Sequence, residues 1–144
     1  MKKIARSAIV EHSAAEMYAL VENIEAYPEF LPRCKAAVVH ERRPGLTKAT
    51  LTVGVGGVRQ SFTTLNENRP EEAIDMRLVE GPFRRFQAQW RFVPLSEHAC
   101  RIEFSLQYEF SRRTLGRLLA PLFDEIADSM VDAFVQRAAA VYEG

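Results

Sequence analysis

The side chains with the greatest capacity for chemistry are three histidines and two cysteines. Catalysis by a nucleophile or by acid–base transfer needs a nucleophile, a base and an orienting group in one place. His12, His40 and His98 lie beside predicted turns or in polar contexts, which favours surface positions. Cys34 and Cys100 are far apart in the chain, and neither an HExxH nor an HxxxH motif is present. We therefore expect no catalytic residue, no metal site and no required cofactor.

A glycine-rich segment at residues 54–57, Gly-Val-Gly-Gly, superficially resembles a phosphate-binding loop. Such a loop continues into Lys-Ser or Lys-Thr and then into a helix, and neither follows here. Two adjacent glycines instead permit the positive φ angles of a tight hairpin turn. The segment therefore predicts a connection between two strands.

Helical signals occupy both ends of the chain. Ser13 and Glu16 form a capping-box pattern, which predicts a helix from Ala14 to near residue 23, and two prolines restrict the next helical segment to a short turn over residues 25–31. Apolar residues recur with a period near 3.6 from residue 118 to residue 142, which predicts a long amphipathic helix.

Pro121 lies near the start of this C-terminal pattern. Because proline removes a helix hydrogen bond, we expect Pro121 to kink the helix or to separate a short first turn from it.

The middle of the chain has the period of β-strands. A β-prone segment spans residues 4–10, and from residue 36 to residue 110 apolar and polar side chains alternate. The sequence therefore predicts one α+β domain over residues 1–144. In it, a curved antiparallel sheet of about six to seven strands wraps around the C-terminal helix, with two short helices after strand 1.

A strongly bent sheet around one helix usually leaves an apolar space that can hold a ligand. Aromatic residues on the predicted strands and apolar residues on the last helix are either plain core or the lining of that space. Phe83 follows a Gly-Pro turn and either packs on the core or lies exposed at the mouth of the space. The candidate lining residues are Tyr27, Phe30, Phe83, Phe86, Trp90, Tyr108, Leu119, Phe123, Ile126 and Met130.

Charge excludes a globally basic nucleic-acid-binding protein, because 19 Lys and Arg balance 19 Asp and Glu. Local arginine clusters remain, and they are either a solvated rim or, where they share one face, a contact surface for rRNA or anionic lipid headgroups. The candidate basic patch consists of Arg84, Arg85, Arg112, Arg113 and Arg117. With two distant cysteines and no signal-peptide pattern, we expect a cytoplasmic protein.

Two motifs carry a resemblance to a known family. Residues 27–34 read Tyr-Pro-Glu-Phe-Leu-Pro-Arg-Cys, and residues 78–86 read Leu-Val-Glu-Gly-Pro-Phe-Arg-Arg-Phe before Trp90. Together with residues 130–134 near the end of the last helix, they resemble the RatA and coenzyme-Q-binding branch of the START-like proteins, in the polyketide cyclase/dehydrase superfamily. One departure is Arg33, where many members have tryptophan.

The resemblance implies the START-like helix-grip fold and a function without catalysis. Its first implication is binding of ubiquinone or another hydrophobic polyprenyl lipid, as a quinone chaperone or carrier that supports respiration. For a quinone head, the candidate hydrogen-bond donors are Trp90 Nε1, Tyr27 and Tyr108. Such a carrier would also touch the inner membrane surface transiently.

The same resemblance implies an alternative function, that of a toxin that binds the large ribosomal subunit and blocks subunit association. The third hypothesis, an aromatase or cyclase enzyme, has no convincing catalytic constellation to support it. The oligomeric state stays open, as does the choice between lipid and ribosome.

Overall fold

The computed structural model describes residues 1–143 and shows one seven-stranded antiparallel sheet. The strands are β1 (Lys2–Val10), β2 (Cys34–Arg43), β3 (Leu46–Val55), β4 (Val58–Arg69), β5 (Ala73–Glu80), β6 (Phe83–Ser96) and β7 (Ala99–Phe110). Their order across the sheet is β1-β7-β6-β5-β4-β3-β2, so β2 to β7 form a meander and β1 pairs with the last strand.

The helices cover the concave face of this sheet and one of its ends. They are α1 (Ala14–Glu22), a 3₁₀ turn (Ile24–Ala26), α2 (Tyr27–Phe30), α3 (Arg113–Ala138) and a short π-helical segment (Ala139–Glu143). The helix-grip architecture predicted from the sequence is confirmed.

Local sequence accounts for these boundaries. Ser13 accepts a hydrogen bond from the Glu16 backbone N–H, and the Glu16 carboxylate accepts one from the Ser13 N–H, so the capping box starts α1 as predicted. Residues 56–57 connect β3 to β4, with Gly56 at φ +58°, which confirms the hairpin interpretation.

The prediction that Pro121 could divide the last helix was wrong, because α3 runs through it for 26 residues. Pro121 and Arg117 both lie on the exposed side of α3. The carbonyl that Pro121 leaves without a helical partner therefore lies on the water side, where its loss is tolerated. Leu118, also assigned to the apolar stripe, is 58% exposed.

His12 corrects a second expectation, since its side chain is buried rather than at the surface. Its Nε2 lies 2.7 Å from Glu143 Oε2, and its ring centroid lies 5.5 Å from that of Tyr142. The covering residues come from the far end of the chain, so the local polar sequence around His12 gives no sign of its burial. His40 and His98 are exposed as predicted.

Candidate functional site

An apolar cavity of about 50 Å³ lies between the concave face of the sheet and α3. The inward side chains of five strands form its walls, α3 closes it, and α2 and the residue after it contribute at one side. The lining residues are Tyr27, Leu31, Leu51, Val53, Phe62, Met76, Phe86, Ala88, Trp90, Phe104, Leu106, Phe123, Ile126, Ala127 and Met130.

Six of the ten predicted lining residues surround this cavity: Tyr27, Phe86, Trp90, Phe123, Ile126 and Met130. The other four, Phe30, Phe83, Tyr108 and Leu119, lie outside the lining. Because period-two and period-3.6 patterns identify a face rather than a position along it, the sequence could select the correct faces but not the contacts.

Three of these four residues are aromatic and belong to two aromatic clusters that flank the lining, whereas Leu119 is buried in the core. Phe83 is buried, so the prediction of core packing is right and an exposed tip is wrong; its ring centroid lies 5.2 Å from that of Phe123 and 5.9 Å from that of Tyr108. Phe30 packs edge-on against Phe134 at 5.1 Å.

Several lining residues were not singled out from the sequence. Leu51, Met76 and Ala88 face the cavity from β3, β5 and β6. Their signal was present in the alternation of their strands, since each occupies an inward position in its strand. Only the pairing of all strands shows that these separate positions meet around one space.

Both tyrosine hydroxyls proposed as donors are already committed to partners in the protein. Tyr27 donates to the Val21 carbonyl, and Tyr108 donates to Asp124 Oδ1 at 2.8 Å. Burial raises the pKa of both phenols well above the usual range, and for Tyr108 the bond to Asp124 adds to that shift. Tyr27, the one of the two that lines the cavity, therefore contributes an apolar rather than a polar surface to it.

The described residues bring together no evident catalytic group. Burial raises the pKa of the Cys34 thiol to about 11, so this thiol stays protonated at neutral pH and is a poor nucleophile. Within residues 1–143, His, Cys, Asp and Glu form no group of three that could hold a metal ion. No helix in that range is both long enough and apolar enough to cross a membrane.

The predicted basic patch lies at one end of the sheet. The Ser111 N–H donates to the Pro82 carbonyl at 2.9 Å, which joins the turn before β6 to the segment that starts α3. Arg84 is the extra residue of a bulge, because Phe83 pairs with Phe110 and Arg85 with Glu109. This junction places both arginine groups at the same end of the sheet, which the sequence alone could not decide.

All five side chains of this basic end are exposed: Arg84, Arg85, Arg112, Arg113 and Arg117. The ion pairs formed between residues of the described chain involve other basic side chains, such as Arg42 with Glu22 and Glu25. The basic end therefore concentrates cations that acidic neighbours in residues 1–143 do not pair.

Comparison with known proteins decides the family. A family model described as "Polyketide cyclase / dehydrase and lipid transport" matches residues 10–135. The chain belongs to this family. The match confirms, at the level of the superfamily, the resemblance seen in the motifs of residues 27–34 and 78–86. Relatives named for RatA and for coenzyme Q binding support the assignment to the RatA and coenzyme-Q-binding branch.

Two relatives within this family carry different names. "Ribosome association toxin RatA" of Escherichia coli is 42% identical over 142 residues, covering 99% of this chain and 90% of that protein. "Coenzyme Q-binding protein COQ10 homolog B, mitochondrial" of Xenopus laevis is 28% identical, covering 96% of this chain and 58% of that protein.

Solved structures confirm the fold of this family member. A START superfamily protein from Mycobacterium smegmatis has a TM-score of 0.80 at 23% identity, over 96% of this chain and 98% of its own. The Zhui aromatase/cyclase from Streptomyces has a TM-score of 0.84 at 15% identity, over 99% and 98%. At these identities the likeness concerns the fold alone.

Proposed function

We propose that this protein is a non-enzymatic carrier that binds ubiquinone or a related polyprenyl lipid between its sheet and α3, and so supports respiration as a quinone chaperone. The observation that carries the proposal is the cavity, whose walls are almost wholly apolar and whose one lining tyrosine, Tyr27, donates its hydroxyl to the Val21 carbonyl. The relative named for coenzyme Q binding supports the choice of lipid.

An isoprenoid chain suits this lining because burying its apolar surface yields about 25 cal/mol per Å². The space of about 50 Å³ must enlarge first, since a cavity that holds a benzene ring measures about 150 Å³. Met76 and Met130 line the space, and methionine side chains change conformation at low cost. Loading therefore involves movement of these side chains.

The lack of a free ionisable group in the cavity lining supports a carrier rather than a cyclase. The lining contains one ionisable side chain, Tyr27, and its hydroxyl is bound to a backbone carbonyl. General acid–base catalysis needs a titratable group within hydrogen-bond reach of the substrate. The walls supply surface for binding and no such group.

Filling the cavity tests the carrier function. Ala127→Met adds three heavy atoms beside the space, so we expect affinity for a short-chain ubiquinone to fall at least tenfold. The quenching of Trp90 fluorescence by the quinone measures binding, because Trp90 is the only tryptophan and lines the cavity. Overpacking should cost no more than about 1–3 kcal/mol of unfolding free energy.

Ala120→Met is the matched control, since Ala120 lies on the same helix outside the lining. It should leave quinone affinity unchanged. Solvent extraction of protein from its native host, followed by mass spectrometry, identifies the cargo directly. Equal quinone binding by both variants, or an extract without polyprenyl lipid, would count against the carrier.

A second candidate function is ribosome association, with the large subunit as the partner. The basic end and the 42% identity to a full-length relative named for ribosome association favour it. Phosphate contacts make binding fall steeply with salt, and the five exposed arginines lie at one end as such a contact requires. The cavity and the basic end involve different residues, so one protein can have both functions.

Reversing two charges tests this candidate. Arg84→Glu with Arg85→Glu should weaken co-sedimentation with purified large subunits by at least tenfold. It should also reduce the slope of log affinity against log salt by about two, because each lost phosphate contact removes nearly one unit.

Arg43→Glu with Arg91→Glu makes the same change in net charge at exposed positions away from the basic end. This control should lose much less affinity. Equal losses in the two double variants would assign the effect to net charge and reject a specific surface.

A further inference from the structure

The inward row of β4 changes from apolar to polar along its length. Phe62 lines the cavity, and the next inward positions are Thr64, Asn66 and Asn68. Thr64 is 4% exposed and Asn66 is 3% exposed, so both are buried polar residues within a strand. On β7, by contrast, the buried inward side chains are Cys100, Ile102, Phe104, Leu106 and Tyr108.

This polar pair has no evident structural role. Mid-strand backbone groups pair with the neighbouring strands, so neither side chain is needed to satisfy them. Burying a hydroxyl and an amide costs free energy that an apolar pair of the same shape would avoid. Asn68 does have a structural role. Its amide donates to Thr47 Oγ1 at 2.9 Å, and the Thr47 hydroxyl in turn donates to Glu22, so these side chains connect the sheet to α1.

The pair adjoins the cavity. Asn66 is directly opposite Met76, a lining residue of β5, and Thr64 is two positions from Phe62 on the same face. Side chains directly opposite each other on one sheet face have Cβ atoms about 4.5–5.5 Å apart. The polar pair therefore continues the cavity wall at the end nearer α1.

Their hydrogen bond defines what the pair can offer a ligand. The Thr64 hydroxyl donates to Asn66 Oδ1 at 2.9 Å, which fixes the amide orientation and leaves the Asn66 Nδ2 hydrogens as donors. A ligand oxygen that accepts a hydrogen bond complements such an amide. Arg42 of β2, whose guanidinium contacts the end of α1, is bound to Glu22 and Glu25.

We propose that Thr64 and Asn66 form a head-group subsite, at which Asn66 Nδ2 donates to a carbonyl oxygen of an uncharged ligand head while the apolar tail occupies the cavity beside Trp90 and Phe123. The inference rests on the proposed carrier function and specifies the chemistry of its ligand. An anionic head is disfavoured, because a buried carboxylate or phosphate needs a cation and this pair supplies none.

The test compares a ligand with a head and one without, on wild-type protein and on Thr64→Val with Asn66→Leu. The probes are a ubiquinone with two isoprenoid units and farnesene, a hydrocarbon chain without a head group. Direct quinone binding is measured by Trp90 quenching, and farnesene binding by competition with a fluorescent hydrophobic dye. Thermal unfolding shows that the variant is folded, and its midpoint should be equal or higher because a buried polar pair is removed.

The expected result is a loss of about tenfold in quinone affinity with farnesene affinity unchanged. Equal effects on both probes, or an effect on neither, would overturn the subsite and leave the carrier function standing. Binding of neither probe by wild-type protein would overturn both.

Discussion

Phe134→Ala should lower the free energy of unfolding by about 3–5 kcal/mol, the range for removing a fully buried phenylalanine. Phe134 is 0% exposed and lies at the meeting point of three elements. Its ring centroid is 5.2 Å from that of Trp90 on β6, 5.5 Å from Tyr27 and 5.1 Å from Phe30 on α2. Truncation to alanine would leave a void bounded by these three rings, and no ring can move into the void independently of the others.

The edge-to-face geometry of these contacts adds to the loss. The Phe134 ring meets Tyr27 at 77°, Phe30 at 79° and Trp90 at 78°, and such pairs contribute about 0.5–1.5 kcal/mol beyond the burial of area. The Arg137 guanidinium also lies 5.0 Å from the Phe30 ring centroid, so the neighbouring turn of α3 depends on the same cluster.

Denaturant and thermal unfolding measure the effect of Phe134→Ala. For a chain of this size, about 2–4 °C is lost per kcal/mol, so the melting temperature should fall by roughly 6–20 °C. Leu118→Ala on the same helix is the control, and at 58% exposure it should change stability by no more than about 0.5 kcal/mol. A loss below 1 kcal/mol for Phe134→Ala would mean that α3 is not packed against α2 and β6 as described.

The fold could be predicted because the periodic patterns are long and unmixed. On β7 every second residue from Cys100 to Tyr108 is buried, and the Ser13–Glu16 capping box marks the start of α1. These signals are local, so they can be recognised without knowledge of the rest of the chain. The same patterns placed Trp90 and Phe123 on faces that meet.

The features that could not be predicted from the sequence depend on contacts between distant segments of the chain. The burial of His12 comes from Glu143 and Tyr142, and the hydroxyl of Tyr108 is taken by Asp124 on α3. The grouping of the arginines likewise follows from the pairing of Phe83 with Phe110. None of these contacts has a signature in the neighbouring residues.

The two functional hypotheses make separable demands on the molecule. Ala127→Met changes the cavity without altering any charge, and Arg84→Glu with Arg85→Glu changes the basic end without touching the cavity lining. A protein in which ribosome association depends on bound lipid would show an effect of Ala127→Met on co-sedimentation. Independence of the two measurements would indicate two separate activities on one domain.

Gly54→Ala should destabilise the protein by about 1–3 kcal/mol, the typical cost of forcing an extra carbon into a packed site. Gly54 is buried and lies opposite Arg59 in the hairpin, and its N–H donates to the Arg33 carbonyl at 2.9 Å. A Cβ at this position would lie 2.6 Å from the Val58 carbonyl oxygen, a backbone atom that cannot move without disturbing the β3–β4 pairing.

Gly57→Ala provides the control three residues away, because a Cβ there meets no atom within 4 Å. Chemical denaturation should show a large loss for Gly54→Ala and a change within about 0.5 kcal/mol for Gly57→Ala. That contrast distinguishes the hairpin from a phosphate-binding loop, in which several glycines would be needed for backbone approach to an anion. Equal losses at the two positions would show that the glycines of residues 54–57 are not explained by strand packing at Gly54.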